Sequence, residues 1–219
     1  MRNEIKIPID KNFNSYFDKW KDFENKISRP YKDRYISNIY YDENFKTAKD
    51  NLSGISNRRK YRIRWYDNKF HKHTYEIKIK KNNLGKKISL MAEGNKHLNI
   101  ENLFSFNNEF LKKKENKFFL EHVDSFDLEP QIQVNYIRSY FLYEGKIRIT
   151  FDQKINYLLV NKFNFYQNKV EDSMNVIEIK FSPENTKLAL ELIKDSKFVP
   201  KRFSKYLRGL YLMGIANYI

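Results

Sequence analysis

Apolar and polar residues alternate with a period of two through much of this chain, in runs separated by turn residues. The clearest runs, YRIRWY and TYEIKIKK, lie within the stretch from Ser53 to Ile88 and are joined through the polar turn Asp67-Asn68-Lys69. Side chains two apart on a strand share a face. Lys60, Arg62 and Arg64 therefore fall on one side, with Tyr61, Ile63 and Trp65 on the other. In the second run Glu76, Lys78 and Lys80 stand opposite Tyr75, Ile77 and Ile79. The pattern predicts a hairpin with one apolar face and one charged, mostly positive face.

The same period recurs along the chain. RNEIKIP at residues 2–8 reads as a short strand ended by Pro8, YISNIYY (Tyr35–Tyr41) as a second, and Lys86–Met91 as a strand after a turn at Asn82–Gly85. Gln131–Tyr143 and Lys146–Phe151 form a second hairpin around Glu144-Gly145. There Lys146, Arg148, Thr150 and Asp152 align opposite Ile147, Ile149 and Phe151, and Val176–Phe181 adds a strand bearing Glu178 and Lys180.

Helical spacing takes over elsewhere. Phe13, Tyr16, Phe17, Trp20, Phe23 and Ile27 make an aromatic stripe over Asp10–Ile27, and Asp42 caps a short helix through Asn51 that Gly54 ends. Ser182-Pro183-Glu184 starts a helix running to about Asp195, and a last one spans about Phe203–Met213. Residues 92–128 carry the weakest pattern. Glu101–Lys114 reads as helix before the FFLEHV run, and the segment either gates a site or packs over the sheet. The mixture is α+β.

Composition narrows the partners. With 219 residues, 41% apolar and 16% aromatic, the chain can bury roughly 70% of its unfolded surface as a single domain over residues 1–219. Forty-two Lys and Arg against 27 Asp and Glu leave a net charge of +15, a field that favours polyanions. The absence of cysteine excludes disulfides, thiol nucleophiles and Cys-ligated metals. No run approaches the ~20 apolar residues of a membrane span, and the N-terminus lacks the apolar stretch of a signal peptide. A soluble, cytoplasmic protein is expected. His71, His73, His97 and His122 read as surface residues, because no carboxylate at helical metal spacing accompanies them.

Glu-x-Lys occurs on one strand face three times, as Glu4/Lys6, Glu76/Lys78 and Glu178/Lys180, and Arg62, Arg64, Arg138 and Arg148 add arginines to the charged faces. Like charges across neighbouring strands cost a few tenths to ~1 kcal/mol per pair. A barrel with a polar interior and an apolar exterior covered by helices satisfies both faces, provided water or a counter-anion sits inside. Arginine grips phosphate oxygens with paired donors, lysine supplies point charge, and carboxylates can hold a divalent cation.

These residues carry a resemblance. R-x-E-x-K (Arg2, Glu4, Lys6), YYD (Tyr40–Asp42) leading to NLSG (Asn51–Gly54), RRKYRIRWY, YEIKIK, YIRSYF, IRITFD, VIEIK and FSKY follow the order seen in VTC domains. Those are the catalytic domains of the vacuolar transporter chaperone polyphosphate polymerases, within the triphosphate tunnel metalloenzyme (CYTH-like) superfamily. The resemblance covers about residues 2–213. It implies a closed antiparallel eight-stranded β-barrel with helices packed outside, binding triphosphate and Mn²⁺ or Mg²⁺. It further implies transfer of the terminal phosphoryl group of ATP to a polyphosphate chain. Lys6, Arg62, Arg64, Lys78, Arg138, Arg148, Lys180 and Lys205 would bind phosphate, all but Lys6 acting on the transferring group, and Lys60 and Lys80 join them from the same hairpin face. Glu178 would be the metal-binding carboxylate, supported by Glu4 and Glu76. Arg2 stands where many superfamily members carry a glutamate, which is nearer the VTC branch than the triphosphatase or adenylate cyclase branches. Neither an SPX-like phosphate-sensing domain nor a membrane segment is present, so any regulatory or membrane partner is undefined.

Two other readings share these residues. One keeps the tunnel but hydrolyses inorganic or nucleoside triphosphate. The other is a non-enzymatic sheet that binds polyphosphate or nucleic acid through interleaved basic and aromatic residues. No specific nucleic acid is expected, because a nucleic-acid groove has no need for a carboxylate beside each lysine.

Overall fold

A computed structural model describes residues 3–13, 25–81, 84–93, 106, 109–125, 127–160, 169–196 and 198–216. Its strands are β1 (Asn3–Asp10), β2 (Ile27–Ser28), β3 (Arg34–Asp42), β4 (Arg58–Tyr66), β5 (Lys72–Lys81), β6 (Leu84–Glu93), β7 (Glu129–Tyr143), β8 (Ile147–Leu159), β9 (Val170–Glu171) and β10 (Met174–Phe181). Its α-helices are α1 (Lys46–Leu52), α2 (Glu109–Lys112), α3 (Lys117–Leu120), α4 (Thr186–Ser196) and α5 (Lys205–Leu212). Each alternating run thus forms a strand. Pro8 does not end β1: it pairs with Val176 inside the strand, tolerated because among the described residues β1 has a strand neighbour on one side only. The aromatic stripe over Asp10–Ile27 falls largely on residues 14–24, outside the described residues.

Hydrogen-bonded neighbours follow the order β1-β10-β8-β7-β3-β4-β5-β6, with β2 on β7 and β9 on β8. The β1–β10, β10–β8, β2–β7, β3–β4, β4–β5 and β5–β6 ladders are antiparallel. Eight strands lie on this path, as expected, but the closed ring does not: among the described residues the order begins at β1 and ends at β6. Alternation in a strand sets which face is apolar and leaves open whether the two end strands pair.

The chain divides into two compact units. The first comprises Met1–Tyr35, Tyr136–Ile155 and Glu171–Ser204; the second comprises Ile36–Asn135, Asn156–Val170 and Lys205–Ile219. In the first, Ile7, Ile149, Ile177, Ile179 and Phe181 pack beneath Ala189, Leu192 and Ile193 of α4. In the second, Tyr41, Tyr61, Ile63, Tyr75 and Ile77 pack against Phe106, Leu111, Phe119, Val123 and Leu128. Each buried Ile, Leu or Phe contributes about 1.5–3 kcal/mol. The described part of residues 92–128 is therefore a cover on the apolar side of β3–β6. Of the helix expected over Glu101–Lys114, only Glu109–Lys112 is α-helical among the described residues.

His73 is not a surface residue. It is fully buried, stacked on Phe70 and edge-on to Tyr75, with Nδ1 bonded to the Phe70 carbonyl at 3.0 Å and Nε2 without a partner. It shares the strand face of Tyr75 and Ile77, so the alternation itself places it inside. His71 is exposed and His122 half-buried; His97 lies outside the described residues.

Candidate functional site

In the second unit the β4–β5 register pairs Arg62 with Glu76, Lys60 with Lys78 and Arg58 with Lys80. The β5–β6 register then places Lys87 beside Lys78, so Lys60, Lys78 and Lys87 stand in one row across three strands. Glu76, 4% exposed, is the hub of this face. Arg62 Nε donates to its Oε2 at 2.5 Å, Lys87 Nζ sits 3.0 Å from Oε1 and Arg64 Nη1 4.0 Å from Oε2. Burial alone would raise the pKa of Glu76; Arg62, Arg64 and Lys87 outweigh it and hold the carboxyl far below the usual range. Arg64 also donates to Asn38 Oδ1 at 2.7 Å, and Asn38 is itself bonded to the Val134 carbonyl at 3.2 Å. The arginine heads are thus set in place rather than free to swing.

The expectation that helices pack only on the apolar side needs one correction. Helix α5 lies on the Arg62 side of this unit. Tyr206 stacks on Tyr40, whose hydroxyl accepts from Arg62 Nη1 at 3.3 Å. Lys205 is the first residue of that helix.

The first unit carries the other cluster. Registers pair Lys6 with Glu178 and Glu4 with Lys180, then Glu178 with Thr150 and Lys180 with Arg148. Arg138 grips Asp152 bidentately, Nε to Oδ1 at 2.6 Å and Nη2 to Oδ2 at 2.7 Å, while Nη2 lies 3.5 Å from Glu178 Oε2. Lys180 Nζ is 3.2 Å from Glu178 and 3.8 Å from Glu4. Lys6 Nζ is 3.3 Å from Glu4 and donates to the Phe203 carbonyl at 3.2 Å. Burial works against ionisation of Glu178, but Lys180, Lys6 and Arg138 hold its pKa well below the usual carboxylate range. Desolvation likewise opposes the Arg138 charge, and Asp152 more than restores it. Arg148 is exposed.

Glu4, Lys6, Arg138, Glu178 and Lys180 are therefore brought together by direct contact, and Arg148 joins them by register. Arg62, Arg64 and Glu76 meet in the other unit, with Lys60, Lys78 and Lys80 on the same face and Lys205 on α5. Asp152, fully buried beneath Arg138, was visible on the Arg148 face of the IRITFD run but carries no motif of its own. Lys87 lies in GKKISL, where alternation is weak, and the Asp42–Tyr206 bond spans 164 residues, beyond any local signal.

A family model for the VTC domain matches residues 3–213. The chain belongs to the VTC domain family. This VTC domain resembles the PH1819 protein of Pyrococcus horikoshii OT3 over 97% of its own length and 99% of that chain, with TM-score 0.52 at 16% identity, a likeness of fold alone. A Vibrio parahaemolyticus protein proposed to be an adenylate cyclase follows at TM-score 0.49 and 14% identity, covering 96% of this chain and 97% of that one. The inorganic triphosphatase NE1496 follows at 0.34 and 8%, covering 96% and 95%. No curated protein sequence matches the chain. The family match and the PH1819 likeness agree on one fold over nearly the whole chain.

Proposed function

We propose that this VTC domain is a metal-dependent polyphosphate polymerase that transfers the terminal phosphoryl group of ATP to a polyphosphate chain. The observation that supports this most is the pairing, in each unit, of fixed arginine and lysine heads with buried carboxylates on the face opposite the apolar core. Phosphoryl transfer asks little covalent chemistry of a protein; positioned positive charge supplies most of the effect. Arg62, Arg64, Lys60, Lys78, Lys80 and Lys205 in one unit, and Lys6, Arg138, Arg148 and Lys180 in the other, are the proposed phosphate ligands. A bound phosphate chain would meet positive charge along the Lys60–Lys78–Lys87 row.

Among the described residues no group of three or more His, Asp or Glu could hold a metal. Two carboxylates suffice for Mg²⁺ when water and substrate phosphates complete its shell. Glu4 and Glu178 lie within hydrogen-bonding reach of each other, and the Thr150 hydroxyl, opposite Glu178 in register, is buried without a partner. This donor set fits Mn²⁺ or Mg²⁺, with Glu178 and Glu4 as the holding residues. When bound, the ion would neutralise phosphate charge. Glu76, gripped by three cations, is in this reading an anchor for Arg62 and Arg64.

The test is one product assay. ATP with Mn²⁺ or Mg²⁺ is expected to give ADP and long polyphosphate, abolished by chelator. Glu178→Gln and Lys180→Ala are each expected to lower turnover by about 100-fold or more, read on the folded fraction, since removing the buried Glu178 charge also lowers stability. Orthophosphate without polymer would reassign the domain as a triphosphatase. No turnover, with chelator-insensitive binding of single-stranded nucleic acid, would overturn the enzymatic reading.

A further inference from the structure

Tyr206, next to the SKY lysine, is the residue of that segment seen against the Arg62 face. Tyr206 is 2% exposed, and its hydroxyl donates to Asp42 Oδ2 at 2.8 Å. The same carboxylate accepts the backbone amides of Glu43 and Thr47 on Oδ1, each at 2.9 Å, and that of Ala48 on Oδ2 at 3.2 Å. One side chain thereby ties the end of β3, the first turn of α1 and the first turn of α5. The Tyr206 ring stacks on Tyr40 with centroids 5.3 Å and planes 21° apart. The Arg62 guanidinium in turn lies 6.0 Å from the Tyr40 centroid. Further along α5, Gly209 lets the helix backbone approach β7 and β8 so closely that a Cβ there would meet Ile132 Cδ1 and Tyr157 Cδ1 at 2.5 Å. Burial, then the charge of Asp42, holds the Tyr206 phenol far above its ordinary pKa, so it stays a donor.

Lysine carries its charge on a flexible four-carbon stem, so its ammonium is placed only as well as its backbone is. A donor displaced by about 1 Å can cost about 100-fold in a positioned reaction. We propose that Tyr206, held by Asp42, is a positioning residue that seats Lys205 on the Arg62 face for contact with a phosphate chain. The inference rests on the phosphate-handling reading above and names the device that makes the SKY lysine effective.

Tripolyphosphate titrated calorimetrically into wild type, Tyr206→Phe, Lys205→Ala and the double variant tests it, with melting curves confirming each fold. Phenylalanine keeps the ring and its stack and removes only the bond to Asp42. Tyr206→Phe is expected to weaken binding about five- to tenfold in the wild-type background and less than about twofold once Lys205 is gone, since residues acting as one unit are non-additive. Should Tyr206→Phe not fold, Asp42→Asn in the same two backgrounds should give the same non-additivity. Equal losses in both backgrounds, or wild-type affinity in Tyr206→Phe, would overturn the positioning role while leaving the phosphate-handling reading intact. A wild type that neither binds tripolyphosphate nor turns over ATP would overturn both.

Discussion

Three cations meet on the Glu76 carboxylate, and two of them are themselves largely withdrawn from water. A carboxyl whose folded pKa lies below its unfolded value of about 4.3 contributes stability that is complete above that pH and lost as pH falls toward the folded value. Glu76→Gln is therefore expected to cost about 3 kcal/mol in urea denaturation at pH 7, as breaking a buried ion pair does, and less at pH 3. Equal losses at both pH values would show that packing, not charge, is what Glu76 contributes. His73 acts at higher pH. Burial lowers its pKa, and the bond to the Phe70 carbonyl only partly offsets this. With a depressed folded pKa, stability is complete above about pH 6.5 and declines as pH falls below it, because only the unfolded chain takes up the proton. Urea midpoints of wild type should drop between pH 8 and pH 5.5, and His73→Leu should remove much of that drop. Arg62 and Arg64 were legible as a charged face from alternation alone. Their fixing by Glu76 and Asn38 was not, since which carboxylate meets which arginine depends on the register of separate strands.

At the scale of elements, α5 shows how packing reverses an intrinsic preference. Glycine within a helix ordinarily costs about 1 kcal/mol relative to alanine. At Gly209 an added Cβ would press on Ile132 and Tyr157, and overpacking of this kind costs about 1–3 kcal/mol. Gly209→Ala is expected to lower the urea midpoint; a rise would show that the helix does not lie tightly on β7 and β8. The segment around α2 and α3 poses a different question, cover or gate. Phe119 is fully buried among Tyr75 and Phe106. Phe119→Ala should cost about 3–5 kcal/mol and leave the KM for ATP within about twofold in the fraction that remains folded, because it packs on the face away from Arg62. A raised KM at unchanged stability would make the segment a gate. Glu109–Lys112 lies within the helix expected over Glu101–Lys114, whereas the sequence pattern does not predict Lys117–Leu120, because a helix of four residues completes barely one turn and leaves no period to detect.

For the molecule as a whole, the net charge of +15 is a field rather than a set of bonds. At about 0.15 M salt such a field reaches about 8 Å, and at 1 M about 3 Å. Raising salt from 0.05 to 0.5 M should weaken tripolyphosphate binding by about tenfold or more, mostly through slower association. A salt-independent affinity would confine recognition to the buried arginine contacts. Alternation over five to eight residues determined, without any structure, where the longer strands lie and which face of several is charged, because the pleat forces neighbouring side chains apart. The ordered motifs determined the family: most sit at a fixed phase of a strand, while NLSG and FSKY mark helix ends. Tertiary structure decided what lies beyond one strand's reach. It paired Glu178 with Arg138, put Asp152 beneath an arginine, carried Tyr206 across 164 residues to Asp42, and, among the described residues, left β1 and β6 as the ends of the strand order. Pairing between distant strands is set by packing and register, and a two-residue period repeats identically whichever partner the strand finds.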